Sequence, residues 1–275
     1  MSAALLLAAA ARACGGPRIV LFKHFHKAGG TSLFQIARRN ARVYEPFANS
    51  TQMNGNMDDV TSPGCGTAGA FACEDCAAAL RRQRVTFVAT EFNTFHAVSP
   101  ASMCPACFAY AVTFRGPLAR IVSHMRFAGL DARAVAALLD NFTVAPSPVW
   151  GRGSAWFTNL YVRELSGVDA YGAPPAAVGE AALAAAASAV ANFDVVLILE
   201  HLGDHLAQLS CVLGWADVAE VALNGNGRAS FRDVAGLDAT FHDRLAAANR
   251  LDGALFARAV ARAELLTARC RGVPS

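Results

Sequence analysis

Apolar positions along the chain gather into short runs, and each run gives way to a turn and then to a stretch with helical spacing. Ile19 to Phe22 is the first run. Gly29 and Gly30 follow as a turn without Cβ clashes, and from Thr31 onward Leu33, Phe34, Ile36 and Ala37 share one helical face. Tyr110 to Phe114 repeats the pattern: an apolar strand, Arg115, a Gly116-Pro117 turn and an amphipathic helix, whose first turn suits a residue without an N–H. Val85 to Glu91 reads as a further strand that ends in polar residues, and Phe193 to Leu199 as another. Strands alternating with helical segments predict an α/β protein with three layers, α/β/α, around a central parallel sheet.

At 275 residues the chain can bury a substantial core. One domain over 18–275 is expected, preceded by an apolar, flexible segment over 1–17. The 54% hydrophobic fraction is inflated by alanine runs such as Ala181 to Ala191, which favour helix but add little core volume. No internal repeat is present. Asn49 to Gly69 reads as a Gly/Asn/Ser/Thr-rich loop, Thr143 to Gly153 is a second break, and the segments 41–84 and 128–153 are expected to be specificity loops. A net charge of +3 gives no overall field for nucleic acid, so no nucleic-acid partner is expected. Ala3 to Ala11 is apolar, but as a helix it would span only about 14 Å against a bilayer core of about 30 Å, and no basic residues precede it as in a signal peptide.

The first strand–turn–helix unit has the chemistry of an anion cradle. Amides that open a helix have no internal partner and donate to phosphate or sulfate oxygens, aided by the helix dipole. Lys27 adds a full charge, and Thr31 and Ser32 add hydroxyls. In a nucleotide-triphosphatase P-loop the lysine follows the glycines, beside the hydroxyl that holds magnesium. Here the lysine precedes them.

His26-Lys27-Ala28-Gly29-Gly30-Thr31-Ser32-Leu33 resembles the 5'-phosphosulfate loop of sulfotransferases, with His26 where many members carry proline. Arg115, Pro117, Arg120 and Ser123 resemble that family's 3'-phosphate signature, Arg-x-Pro-x-x-Arg-x-x-Ser, with Gly116 in place of the usual turn-stabilising aspartate. Without the resemblance, Arg115 and Arg120 read as a solvated helix start. Glu200 to Trp215 and the segment Asn249, Asp252, Leu255, Phe256 are similar, more loosely, to later segments of galactose-sulfating carbohydrate sulfotransferases. The resemblance covers roughly residues 18–262.

It implies a P-loop-like sulfotransferase fold and transfer of a sulfuryl group from 3'-phosphoadenosine 5'-phosphosulfate to a hydroxyl of a glycan or glycoprotein, with a tyrosine side chain as a second acceptor class. Lys27, Ala28, Gly29, Gly30, Thr31 and Ser32 would hold the phosphosulfate, and Arg115, Arg120 and Ser123 the 3'-phosphate. Lys27 would also stabilise charge on the bridging oxygen as sulfate leaves. Sulfuryl carries less charge than phosphoryl, so no metal is expected. An alcohol needs a base to attack at neutral pH. Glu91 is the first choice and His96 the second, while His24 and His26 lie beside the cradle and could contact ligand. Glu91 could instead pair with Arg115 or Arg120.

Golgi members of the family usually carry a membrane anchor, and none is visible here. A Golgi lumenal or membrane setting follows from the resemblance, and a soluble form if the N-terminus is complete. Sequons at Asn49 and Asn141 fit a lumenal protein. The eight cysteines include Cys73-x-x-Cys76 and Cys104-x-x-Cys107, with Cys65 nearby. They can be a four-thiolate zinc site, buried thiols or disulfides, and a lumenal enzyme favours disulfides that pin the segment before the Arg115 strand. Two other functions fit less of the chain: a sulfotransferase-like nucleotide-binding protein without turnover, and a P-loop small-molecule kinase, which lacks its Gly-Lys-Ser/Thr order here.

Overall fold

Four apolar runs become the strands of one all-parallel sheet: β1 (Ile19–His24), β2 (Phe87–Thr90), β3 (Phe108–Phe114) and β4 (Val195–Ile198), in the order β2-β1-β3-β4. Leu21 lies beside Val88 on one side and Tyr110 on the other, and Ala111 lies beside Val195. The computed structural model describes residues 14–43, 73–91, 103–144, 153–219 and 237–272. Every strand residue is buried, the mark of a parallel sheet covered on both faces.

Strand alternation sorts the core into two halves. Ile19 and Leu21 join one cluster with residues of α2 (Cys73–Arg82), α5 (Leu160–Leu165), α6 (Glu180–Asn192) and α10 (Arg250–Cys270). Val20 and Phe22 join the other with residues of α1 (Gly30–Asn40) and α8 (Ala207–Leu213). Helices therefore cover both faces, and the chain is an α/β protein. The alanine-rich segment is more than a compositional bias. Ala182, Ala186 and Ala189 of α6 are buried in the same cluster as Ala259 and Ala263 of α10, so small side chains let the two helices approach closely.

Two segments expected to be loops contain helix. α2 falls within 41–84. α4 (Ala132–Asp140) falls within 128–153, after α3 (Pro117–Ala128). The start signal for α4 is Asp131, whose carboxylate accepts from the Ala134 amide at 2.8 Å, and Val135 anchors its inner face. The stop signal for α3 is Gly129 in the left-handed conformation, φ 64°. Asn141, the second sequon, is exposed just beyond α4. The Asn49 to Gly69 loop, Asn49 and the Ala3 to Ala11 run lie outside the described residues. Among the described residues no helix is long and apolar enough to cross a membrane.

β4 is a sheet edge, and its outward backbone groups are met by side chains from the following helices. Gln208 accepts from the Val196 amide at 2.9 Å and donates to the Val196 carbonyl at 2.8 Å. His205, at the end of α7 (Leu202–His205), accepts from the Ile198 amide through Nδ1 at 3.1 Å. An edge satisfied this way offers nothing for another strand to pair with.

The Asn249 to Asp252 segment is a reciprocal cap. It joins α9 (Ala239–Ala248) to α10, and Asp252 accepts from the amides of Val162 at 2.9 Å and Tyr161 at 3.1 Å. Asn159 in return accepts from the amides of Leu251 and Asp252. Each helix thus caps the other's start. Burial pushes the Asp252 carboxyl up to about 6.

Disulfides join Cys14 to Cys107 and Cys211 to Cys270, and Cys76 and Cys104 are disulfide-bonded as well. Bonded sulfurs are not zinc thiolates, so the described members of the two CxxC pairs are not a zinc site. The Cys14–Cys107 bond fastens the chain ahead of β1 to the entrance of β3, and Arg81 donates to the carbonyls of Gly16 and Pro17. The described end of the segment expected to be flexible, residues 14–17, is therefore tied down. Cys211–Cys270 joins α8 to the end of α10, a link that the CxxC spacing did not suggest. Cys65 lies outside the described residues.

Candidate functional site

The sheet order sets where a ligand crevice opens. From β1 the chain goes first to β2 on one side and then to β3 on the other, so the carboxyl ends of β1 and β3 flank a topological switch point. The Lys27 loop leaves β1 there, and Arg115 stands at the end of β3.

Residues Phe25 to Gly30 carry the chain from β1 into α1. Lys27 is itself in the left-handed region (φ 65°), and Gly29 follows at φ 89° as the cap of α1. A non-glycine residue held there stores backbone strain of the kind found at binding loops. The two glycines answer to separate neighbours. A Cβ on Gly29 would come within 2.6 Å of Leu199 Cδ1, and one on Gly30 would run into the buried His24 ring. Gly30→Ala is expected to destabilise the protein by roughly 1–3 kcal/mol through overpacking, read as a lower midpoint in urea. Ser32 is buried and Thr31 partly so, both in the first turn, where the dipole favours an anion.

Lys27 Nζ lies 4.8 Å from the centre of the Phe127 ring. Burial lowers its pKa and the Arg115 guanidinium lowers it further, while Glu91 opposes both. Arg115 is buried, and its Nη1 donates to the Lys27 carbonyl at 3.1 Å, so the two halves of the crevice touch. Tyr161 holds the base of Arg115: its hydroxyl accepts from the Arg115 amide and donates to the Arg115 carbonyl at 2.8 Å. The Gly116 amide donates to Glu200 Oε1 at 2.8 Å. A carboxylate that the local motif lacks is thus supplied from beyond β4.

Arg120 is not a solvated residue. It is fully buried, donates to the Trp156 carbonyl at 2.6 Å and lies over the Tyr161 ring. Its charge faces inward, towards the carboxyl groups of Glu164 and Asp252. Ser123 is partly exposed, one turn beyond Arg120 on α3.

Glu91 closes the crevice from β2. It is buried and pairs with neither arginine. Its Oε1 meets His26 Nδ1 at 2.8 Å, its Oε2 lies 3.8 Å from His24 Nδ1, and its carbonyl accepts from Lys23. The His26 ring stands edge-on to His124, Phe127 and Trp156. Burial pushes His26 down to about 3, with help from Lys27 and Arg120, and burial also lowers His24 despite Glu91. Burial thus disfavours the charged form of both rings, and His26 Nδ1 and Glu91 Oε1 share a hydrogen bond. His96 lies outside the described residues.

These shifts have a sign. A histidine with a depressed folded pKa contributes stability that is present above about pH 6.5 and is lost as pH falls toward about 3. Asp252, raised to about 6, acts in the opposite sense, since its folded form takes up the proton first. His26→Gln isolates the first effect. It is expected to flatten the fall in stability between pH 6.5 and pH 5 by up to about 2 kcal/mol relative to wild type, measured by urea unfolding at each pH.

Beneath the cradle lies an ion pair that no motif announced. Lys23 Nζ and Glu164 Oε2 are 2.7 Å apart with both side chains fully buried, and Tyr171 donates to Glu164 Oε1 at 2.7 Å. The available signal was a lysine inside the apolar run Ile19 to His24. Among the described residues no group of three or more His, Cys, Asp or Glu side chains is arranged to hold a metal ion. No protein-family model, curated protein or solved structure matches this chain.

Proposed function

We propose that the chain is a sulfotransferase that uses 3'-phosphoadenosine 5'-phosphosulfate and passes the sulfuryl group to a hydroxyl of a glycan or glycoprotein. The observation that carries this reading is the meeting of the Lys27 loop with Arg115 at the β1/β3 switch point, joined by the 3.1 Å hydrogen bond from Arg115 to the Lys27 carbonyl. A donor charged at both ends suits two cationic anchors fixed to adjacent strands. Lys27 with the amides of Gly29, Gly30 and Thr31 and the Ser32 hydroxyl takes the phosphosulfate. Arg115, with Ser123 beyond it on α3, takes the 3'-phosphate, and the inward-facing Arg120 supports that end. The fold this implies is the P-loop-like sulfotransferase arrangement.

Holding the donor at both ends fixes the sulfur for in-line attack, so much of the barrier is met by positioning. Charge develops on the bridging oxygen as the bond to sulfur breaks. Lys27, partly desolvated, stabilises it more strongly than a solvated lysine would. A base near the end of β2 takes the acceptor's proton, with Glu91 and then His96 as the sequence candidates. The Golgi lumen, with a glycan acceptor, is the setting this reading favours, and the disulfides fit an oxidising compartment.

Transfer of labelled sulfate from the donor to a panel of oligosaccharides and tyrosine peptides tests the reading. Label on at least one sugar hydroxyl is expected. Label on tyrosine alone changes the acceptor class, and nucleotide binding without any transfer supports a binding protein instead.

A further inference from the structure

The sequon Asn141-Phe142-Thr143 is a signal that the transfer reaction does not use, and the fold presents it outward. Asn141 ends α4 in an extended conformation, φ −126° and ψ 104°, with its amide bonded to the Ala137 carbonyl. Two hydrogen bonds hold Thr143 to Ser154: its amide donates to Ser154 Oγ at 2.7 Å, and its carbonyl accepts from the Ser154 amide at 2.9 Å. Phe142 is half-buried, with the Arg163 guanidinium 5.7 Å from its ring centre. The middle residue is thus anchored inward, while Asn141 and Thr143 on either side of it are exposed. Among the described residues the Asn141 side-chain amide makes no hydrogen bond.

The disulfides are a second and independent observation. Cys14–Cys107 and Cys211–Cys270 fit an oxidising compartment, which is where sequons of secreted proteins are modified. Resting on the lumenal setting favoured above, and not on the transfer chemistry, we propose that Asn141 carries an N-linked glycan.

The modification moves one glycosyl group. The Asn141 side-chain nitrogen bonds to C1 of the first sugar of an oligosaccharide carried on a lipid diphosphate. The bond from C1 to the diphosphate oxygen breaks, its electron pair leaves on the diphosphate, and the proton lost from nitrogen passes to a base of the modifying transferase. The fold's part is to leave room for a bulky, hydrated group. Val144 shows what that group would cover: it is 54% exposed, and with Phe127 it is one of two large apolar side chains open to solvent among the described residues. It lies three residues beyond Asn141, about 10 Å along an extended chain and within reach of the inner sugars.

Mass mapping of the full chain isolated from cells that make it tests the assignment. The protein is treated with peptide N-glycosidase in heavy-oxygen water, which turns a glycosylated asparagine into a carboxylate that carries the heavy oxygen. Trypsin then cleaves after Arg133 and Arg152 to release residues 134–152. This peptide is expected to carry the label at position 141 after treatment, and to be lost from its unmodified mass without it. Thr143→Ala, made in the same cells, is expected to lose the label, while Thr143→Ser keeps it because a serine hydroxyl also completes the sequon. An unlabelled 134–152 peptide at full yield from treated wild type, or a label that persists in Thr143→Ala, overturns the inference. Label at position 141 without sulfate transfer to any acceptor keeps the glycan and overturns the sulfotransferase reading, and transfer without label does the reverse.

Discussion

Lys27→Ala is expected to lower sulfate transfer by about 10²–10³-fold, the loss typical when one preorganised donor to a developing oxyanion is removed. The argument rests on where the charge is held. Lys27 is fixed in the left-handed region between Arg115 below its carbonyl and Phe127 beside its ammonium, so the group is aimed before the ligand arrives. Its pKa is lowered by burial and by Arg115, so it is poorly solvated and interacts more strongly with new negative charge. Lys27→Arg is expected to recover only part of the rate, since a planar fork cannot take the place of a compact ammonium at this strained turn. Steady-state transfer assays at saturating donor check both. A Lys27→Ala variant within fivefold of wild type would remove the lysine from the chemistry.

Glu164→Ala is expected to cost about 3–5 kcal/mol, because it removes the carboxylate that faces the Lys23 ammonium in the core. For a domain with a total stability of about 5–15 kcal/mol, that is a large share. The pair sits directly under the cradle, with Lys23 also donating to the Glu91 carbonyl and Tyr171 donating to Glu164. Burial raises the Glu164 pKa, and Lys23 and the Tyr171 hydroxyl oppose the rise. The double variant Lys23→Met/Glu164→Leu is expected to recover most of the loss, since a buried pair replaced by apolar groups of similar volume is often neutral. Urea unfolding of the single and double variants completes the cycle. Single variants that lose less than 1 kcal/mol would show that the pair contributes little.

The strands and the helices that flank the cradle were legible because their signals are local. An apolar run followed by Gly29-Gly30 or by Gly116-Pro117 announces strand, turn and helix within about twenty residues. α4 was read as loop although Val135, Leu138 and Leu139 follow helical spacing behind the Asp131 cap, because the helix is short and only Val135 is fully buried. Lys27 and Arg115 could be placed from the sequence, since each follows an apolar strand. The partners of Glu91 could not. Which histidine meets that carboxylate depends on β1 and β2 lying side by side, a pairing set by register across a long sequence separation. The same holds for Glu200 at Gly116 and for Asn159 with Asp252, where a side chain completes a turn or a helix start 84 or more residues away. The burial of Arg120 was not legible because its surroundings, the Trp156 carbonyl and the Tyr161 ring, come from a later part of the chain.

The central claim is that Lys27 and Arg115 are the two anchors of one bis-anionic nucleotide. Thermal unfolding with 3'-phosphoadenosine 5'-phosphate, without metal, tests it most directly. At about a hundred times Kd the wild type is expected to gain about 2.7 kcal/mol, a rise in Tm on the order of 5 °C, and Lys27→Ala and Arg115→Ala are each expected to lose most of it. A wild type whose Tm does not move at millimolar nucleotide, or moves only with ATP and magnesium, contradicts the account.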